Sequence, residues 1–91
     1  MFTVFPTFDL RPKDTTAFVD DHIWLHCNAS GDPKPKISWS EDVPGGDRLD
    51  TLYIKEVRME DQGRYYCIAA NGAGMIQSKP FSLDVQSKLK F

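Results

Sequence analysis

The stretch Asp61-Gln62-Gly63-Arg64-Tyr65-Tyr66-Cys67 constrains this chain more than any other. Apolar and aromatic residues crowd around it. Its cysteine has one possible partner in the sequence, Cys27, and Trp39 lies between the two. Ninety-one residues make one domain. A chain so short buries only about 60–65% of its unfolded surface, which leaves a small core in which a covalent staple would matter.

Composition narrows the partners. The net charge is −2, and basic residues cluster no further than Lys34-Pro35-Lys36 and Lys88-Leu89-Lys90, so nucleic acid is not an expected partner. No apolar stretch approaches the ~20 residues needed to cross a bilayer, which argues against direct membrane insertion. There is no apolar core of a signal peptide, and Met1 reads as the start of a fragment, with any natural signal or anchor outside it.

Taken in order, the chain reads as strands. Met1 to Arg11 is an opening strand with Phe2, Val4, Phe5 and Phe8 around Pro6, and the proline makes it an edge. Pro12-Lys13-Asp14 is a break, and Thr15 to Val19 reads as a short second half. Asp20-Asp21 is a turn. From His22 to Asn28 the pattern has period two: Ile23, Leu25 and Cys27 share one face, and His22, Trp24, His26 and Asn28 share the other. Gly31 to Pro35 is a turn by composition. Ile37 and Trp39 then share a face. Ser40 to Asp50 contains Pro44-Gly45-Gly46 and little that is apolar. Leu49, Leu52, Ile54 and Val57 read as a further strand and its exit. Tyr65, Cys67 and Ala69 point inward, with Arg64, Tyr66 and Ile68 outward. Asn71-Gly72 is a hairpin signal. Met75 to Gln86 returns with Phe81, Leu83 and Val85 inward, and Pro80 marks an edge or bulge. Ser87 to Phe91 reads as a frayed tail.

The order Cys27…Trp39…Cys67, with Tyr65 two residues before the second cysteine, resembles the immunoglobulin fold. Pro6-x-Phe8, Gly31-x-Pro33-x-Pro35-x-Ile37-x-Trp39 and the run Ala69 to Gly74 are similar to the intermediate-set (I-set) pattern. The likeness covers roughly residues 6 to 86. It implies an all-β, immunoglobulin-like two-sheet Greek-key sandwich with a Cys27–Cys67 disulfide between the sheets. That bond closes a loop of 40 residues, worth roughly 4 kcal/mol in the chain-entropy model. It also implies Trp39 packed on the disulfide, Leu52 and Ile54 in the core, and a Tyr65 hydroxyl bonded to upstream backbone. Gly63 would permit a close turn into its strand. Asp61 would either pair with Arg48, or next Arg58, or cap its turn through backbone N–H groups. Asp20 stands where I-set domains usually carry glycine, and aspartate tolerates the left-handed region better than most residues. From Trp39 to Leu52 there are only 13 positions, so the C′–D region is shortened, with a vestige at Arg48-Leu49, and one sheet should lose an edge strand.

The candidate sites are sparse. Catalysis needs a nucleophile, a base in reach and an orienting group, and the resemblance commits both cysteines to the staple. His22 and His26 are four apart on a strand, ~13 Å, too far for one metal ion. No enzyme activity, cofactor or metal is expected. Asn28-Ala29-Ser30 is an N-glycosylation sequon on an outward face. Trp24 and Tyr53, both outward on neighbouring strands, are a candidate interface. The last strand, and the strand beside the shortened connection, are possible edges for dimerisation by strand addition, blunted by Lys34, Lys36 and proline.

The resemblance therefore implies a non-catalytic extracellular module for cell adhesion or receptor and matrix recognition, part of a secreted or single-pass cell-surface protein. Its partner would be a protein, heterophilic or homophilic, with a weak dimer among the options. The alternative is an intracellular domain of a giant muscle protein, with reduced cysteines, acting as spacer or scaffold.

Overall fold

Two sheets pack face to face, and three of the long strands among the described residues are each broken once. The structure is a computed structural model that describes residues 3–40 and 50–87. In the first sheet, β1 (Val4–Leu10) runs antiparallel to β4 (Asn28–Asp32), and β3 (Ile23–His26) antiparallel to β6 (Thr51–Ile54). β3 and β4 are halves of one strand interrupted at Cys27, whose amide donates to the Asp50 carbonyl at 2.9 Å. In the second sheet, β2 (Thr15–Phe18) lies parallel to β10 (Phe81–Gln86), which pairs antiparallel with β7 (Gly63–Tyr65). β5 (Lys36–Trp39), β8 (Cys67–Asn71) and β9 (Gly74–Gln77) continue that sheet. β7 and β8 are halves of one strand, and so are β9 and β10.

The breaks are repaired by two buried serines. Ser78, between β9 and β10, donates its amide to the Cys67 carbonyl (2.9 Å) and accepts the Cys67 amide on Oγ (3.0 Å). Ser40, after β5, donates its amide to the Tyr66 carbonyl (2.9 Å) while its Oγ accepts the Tyr66 amide (3.3 Å). A buried backbone group left unpaired costs about 1–3 kcal/mol, so each serine supplies what the interrupted ladder lacks. Pro80, which cannot donate, falls in the break between β9 and β10.

Period-two burial builds the core. Leu25, Cys27, Leu52 and Ile54 come from the first sheet, and Trp39, Tyr65, Cys67, Phe81, Leu83 and Val85 from the second. Val57 closes the base and is fully buried. Asp20 takes φ 74°, the left-handed conformation its position demands. The turn is tied to the exit of β6, with the Asp20 amide donating to the Val57 carbonyl and the Val57 amide to that of Asp21, both at 2.9 Å.

Several readings need correction. Gly31 and Asp32 belong to β4 rather than to the turn, because β1 offers them a ladder partner, with Val4 opposite Asp32. The last strand is not a free edge along its whole length: β10 is flanked by β2 and β7, and its first half, β9, pairs with β8 alone among the described residues. Among the described residues β5 pairs with β8 alone. Gly63 opens β7, and an added Cβ would meet the Tyr65 hydroxyl at 3.5 Å, an ordinary contact. The turn before it is made by a single 3-10 turn over Met59–Asp61. Phe2, Arg48, Leu49, the Pro44-Gly45-Gly46 turn, the shortened C′–D region and the end of the tail lie outside the described residues.

Candidate recognition surface

Register sets the exposed aromatic group. In the β3–β6 pair Trp24 stands directly opposite Tyr53, and His26 opposite Thr51. Leu25 and Leu52, one residue along, point into the core, so Trp24 and Tyr53 must face solvent. Their rings stack with centroids 4.9 Å apart and planes at 24°. His22 meets Trp24 edge-on at 5.4 Å and 82°. Trp24 remains 53% exposed and Tyr53 38%. An offset stack of this kind adds about 0.5–1.5 kcal/mol beyond area burial, which holds both rings in one orientation. The histidines are not brought together: His22 touches Trp24, while a ring nitrogen of His26 bonds Thr51 Oγ1 at 3.1 Å. One flank of Trp24 opens into a shallow cleft of about 250 Å³ that Arg11, Lys13 and His26 help to line.

Behind this face is the frame that holds it. Cys27 and Cys67 are bonded, with Cα atoms 6.7 Å apart and no exposure. Trp39 lies opposite Cys67 in the β5–β8 register, and its ring meets Phe81 edge-on at 6.3 Å. The Tyr65 hydroxyl donates to the Asp61 carbonyl. The Asp61 carboxylate accepts the Arg58 amide at 2.9 Å, so it caps its turn, while the Arg58 guanidinium lies 3.9 Å from Glu60 on exposed side chains. Removing the hydroxyl in Tyr65→Phe should cost about 1–3 kcal/mol, since the carbonyl is left without its donor. A urea midpoint equal to that of the parent would refute this role.

One tie was not read from the sequence. Asn71 Nδ2 donates to the carbonyls of Val4 (2.8 Å) and Pro33 (2.9 Å), and its Oδ1 accepts the amides of Ala73 (2.9 Å) and Gly74 (3.2 Å). One side chain thus fastens three segments at one end of the sandwich. The Asn-Gly signal does mark a hairpin, but the connecting residues are Gly72 and Ala73, and Asn71 is not left-handed. Gly74 is needed for a different reason: a Cβ there would come within 2.2 Å of the Phe5 ring. Asn28 is exposed at the start of β4, where its Oδ1 accepts the Ala29 amide at 2.9 Å.

Comparison with known proteins agrees with this architecture. A family model described as immunoglobulin domain matches residues 6–71. Protein amalgam of Drosophila melanogaster is 38% identical over 82 residues, covering 82% of this chain and 25% of amalgam. The N-terminal Ig1-2 module of the Drosophila receptor protein tyrosine phosphatase DLAR superposes with a TM-score of 0.81 at 31% identity, over 91% of this chain and 46% of that one. Titin domains Z1Z2, solved in complex with telethonin, give 0.78 at 26% identity, over 97% of this chain and 50% of theirs. The chain therefore spans a quarter of amalgam and about half of each of those two structures.

Proposed function

This chain belongs to the immunoglobulin-domain family, and on that premise we propose that it is a non-catalytic extracellular module that recognises another protein. The observation that carries the reading is the Trp24–Tyr53 stack. Two rings held rigid before binding lose little conformational freedom when they are covered, and tryptophan and tyrosine are the residues that most often dominate interface energy. Arg11 and Lys13 beside Trp24 favour a partner that presents carboxylates around an apolar or aromatic centre. The buried disulfide supports an oxidising compartment, and similarity to a receptor phosphatase module supports the cell surface. The domain serves adhesion or receptor recognition as one unit of a longer chain.

The test is substitution of the face without damage to the frame. Trp24→Ala and Tyr53→Ala should each weaken partner binding at least tenfold while costing the fold only about 0.5–1.5 kcal/mol, the worth of the lost stack, so that both variants stay folded in a urea titration. Partner affinity unchanged in both variants would sink the assignment of this face.

A second reading is supported by the likeness to titin Z1Z2: an intracellular spacer with reduced cysteines. Thiol mapping of the protein from its natural source separates the two, because free thiols at Cys27 and Cys67 would favour the spacer.

A further inference from the structure

We propose that Asn28 carries an N-linked glycan whose first sugars bed in the cleft beside β5 and leave the Trp24–Tyr53 stack open. The idea rests on the extracellular reading above. The sequon Asn28-Ala29-Ser30 alternates cleanly, with Ala29 buried and Asn28 and Ser30 exposed on the same side. The Asn28 carboxamide is turned by its Oδ1, which accepts the Ala29 amide at 2.9 Å. Among the described residues no hydrogen bond holds Nδ2, the atom that would be glycosylated. Ser30 is held in place by its hydroxyl, which donates to Asp9.

The bed is specific. Asn28 lines a cleft of about 500 Å³ together with Lys34, Pro35, Lys36, Ile37 and Asp50, a volume in the range of small-molecule sites. Pro35 and Ile37 give it an apolar floor suited to the C–H face of an N-acetylhexosamine. Lys34, Lys36 and Asp50 provide donors and acceptors for its hydroxyls and acetamide. The cleft flanking Trp24 is lined by a different set of residues, none shared with this one. Trp24 lies four residues from Asn28 along the strand, roughly 13 Å away. The nearer bed is therefore the one beside β5, and a glycan seated there also screens that strand from edge pairing.

In the transfer, Asn28 Nδ2 loses one proton and bonds to the anomeric carbon of the first N-acetylglucosamine. The bond from that carbon to the pyrophosphate oxygen of a lipid-linked oligosaccharide breaks, and the lipid pyrophosphate leaves.

The test routes the chain through the secretory pathway of animal cells. Peptide mass spectra should place a glycan on Asn28, and N-glycosidase should convert that residue to aspartate. Asn28→Gln and Ser30→Ala should each abolish the glycan, and Ser30→Thr should restore it. Amine acylation of Lys34 and Lys36 should be several-fold slower in the glycosylated than in the enzymatically deglycosylated protein. Acrylamide quenching of Trp24, read against buried Trp39, should be equal in the two forms. An unmodified Asn28 overturns the acceptor assignment. Equal lysine labelling, or weaker quenching with the glycan present, overturns its placement. These outcomes concern the chain once it is secreted. Failure of the extracellular reading would instead appear in protein from the natural source, as free thiols together with an unmodified Asn28.

Discussion

Trp39→Ala should cost about 3–5 kcal/mol and bring the domain close to the limit of folding at room temperature. Trp39 is 4% exposed at the centre of the second sheet, opposite Cys67 and edge-on to Phe81. Truncation removes the largest side chain of the core and opens a cavity between sheets that cannot close, because the disulfide fixes their separation at this point. A domain of this size has a net stability of roughly 5–14 kcal/mol, so the loss takes a large share of the whole. Trp39→Phe keeps an aromatic ring against Phe81 and should cost clearly less. Urea titrations of the three proteins check this. The midpoint should fall in the order parent, Phe, Ala with little change in slope. An alanine variant within 1 kcal/mol of the parent would show that the sandwich does not pack around Trp39.

What could be read ahead of the fold, and what could not, divides along locality. His22 to Asn28 and Tyr65 to Ala69 alternate because each strand buries one face, and a period of two is written in neighbouring residues. That pattern was enough to turn Trp24 and Tyr53 outward. It could not make them a stack, since that needs the register Trp24 opposite Tyr53, a relation between strands 29 positions apart. Ser40 and Ser78 were invisible for a related reason. Serine looks like a surface residue until the strand break that it repairs is in view. Asn71 gave a hairpin signal through its backbone preference, yet its effect comes from its side chain, which reaches segments 38 and 67 positions away. Gly63 opens β7 just after the 3-10 turn, and the space beside it would admit a methyl group.

The same division governs the face proposed for recognition. Its rigidity comes from pairing of β3 with β6, and that pairing is anchored where Cys27 interrupts the strand and takes the Asp50 carbonyl. The face proposed for binding on one side of the sheet and the staple on the other are therefore consecutive stretches of one strand, from Trp24 to Cys27. Damage to the staple should reach the surface, whereas damage to the surface should not reach the staple.

Breaking the disulfide is the sharpest check on that relation. Reduction, or the paired change Cys27→Ala with Cys67→Ala, should cost roughly 2–5 kcal/mol. The bond spans 40 positions, and releasing a loop of that length returns about 4 kcal/mol of conformational entropy to the unfolded chain at 25 °C. Both sulfurs are fully buried, so Cys67→Ser adds a second penalty, a hydroxyl in the core with no assured partner, and should be worse than alanine. The denaturant slope should rise when the cross-link is cut, because the released chain exposes more surface on unfolding. Trp39 lies opposite Cys67, so the costs of Trp39→Ala and of cutting the bond should not add; a double-mutant cycle should give a coupling of at least 0.5 kcal/mol. Titration with and without reductant, followed through binding as well as fluorescence, separates the cases. If the midpoint falls and binding is lost with it, the staple supports the Trp24–Tyr53 face. If the midpoint does not move, the core is self-sufficient without the bond, and the argument from the disulfide to an oxidising compartment loses its force.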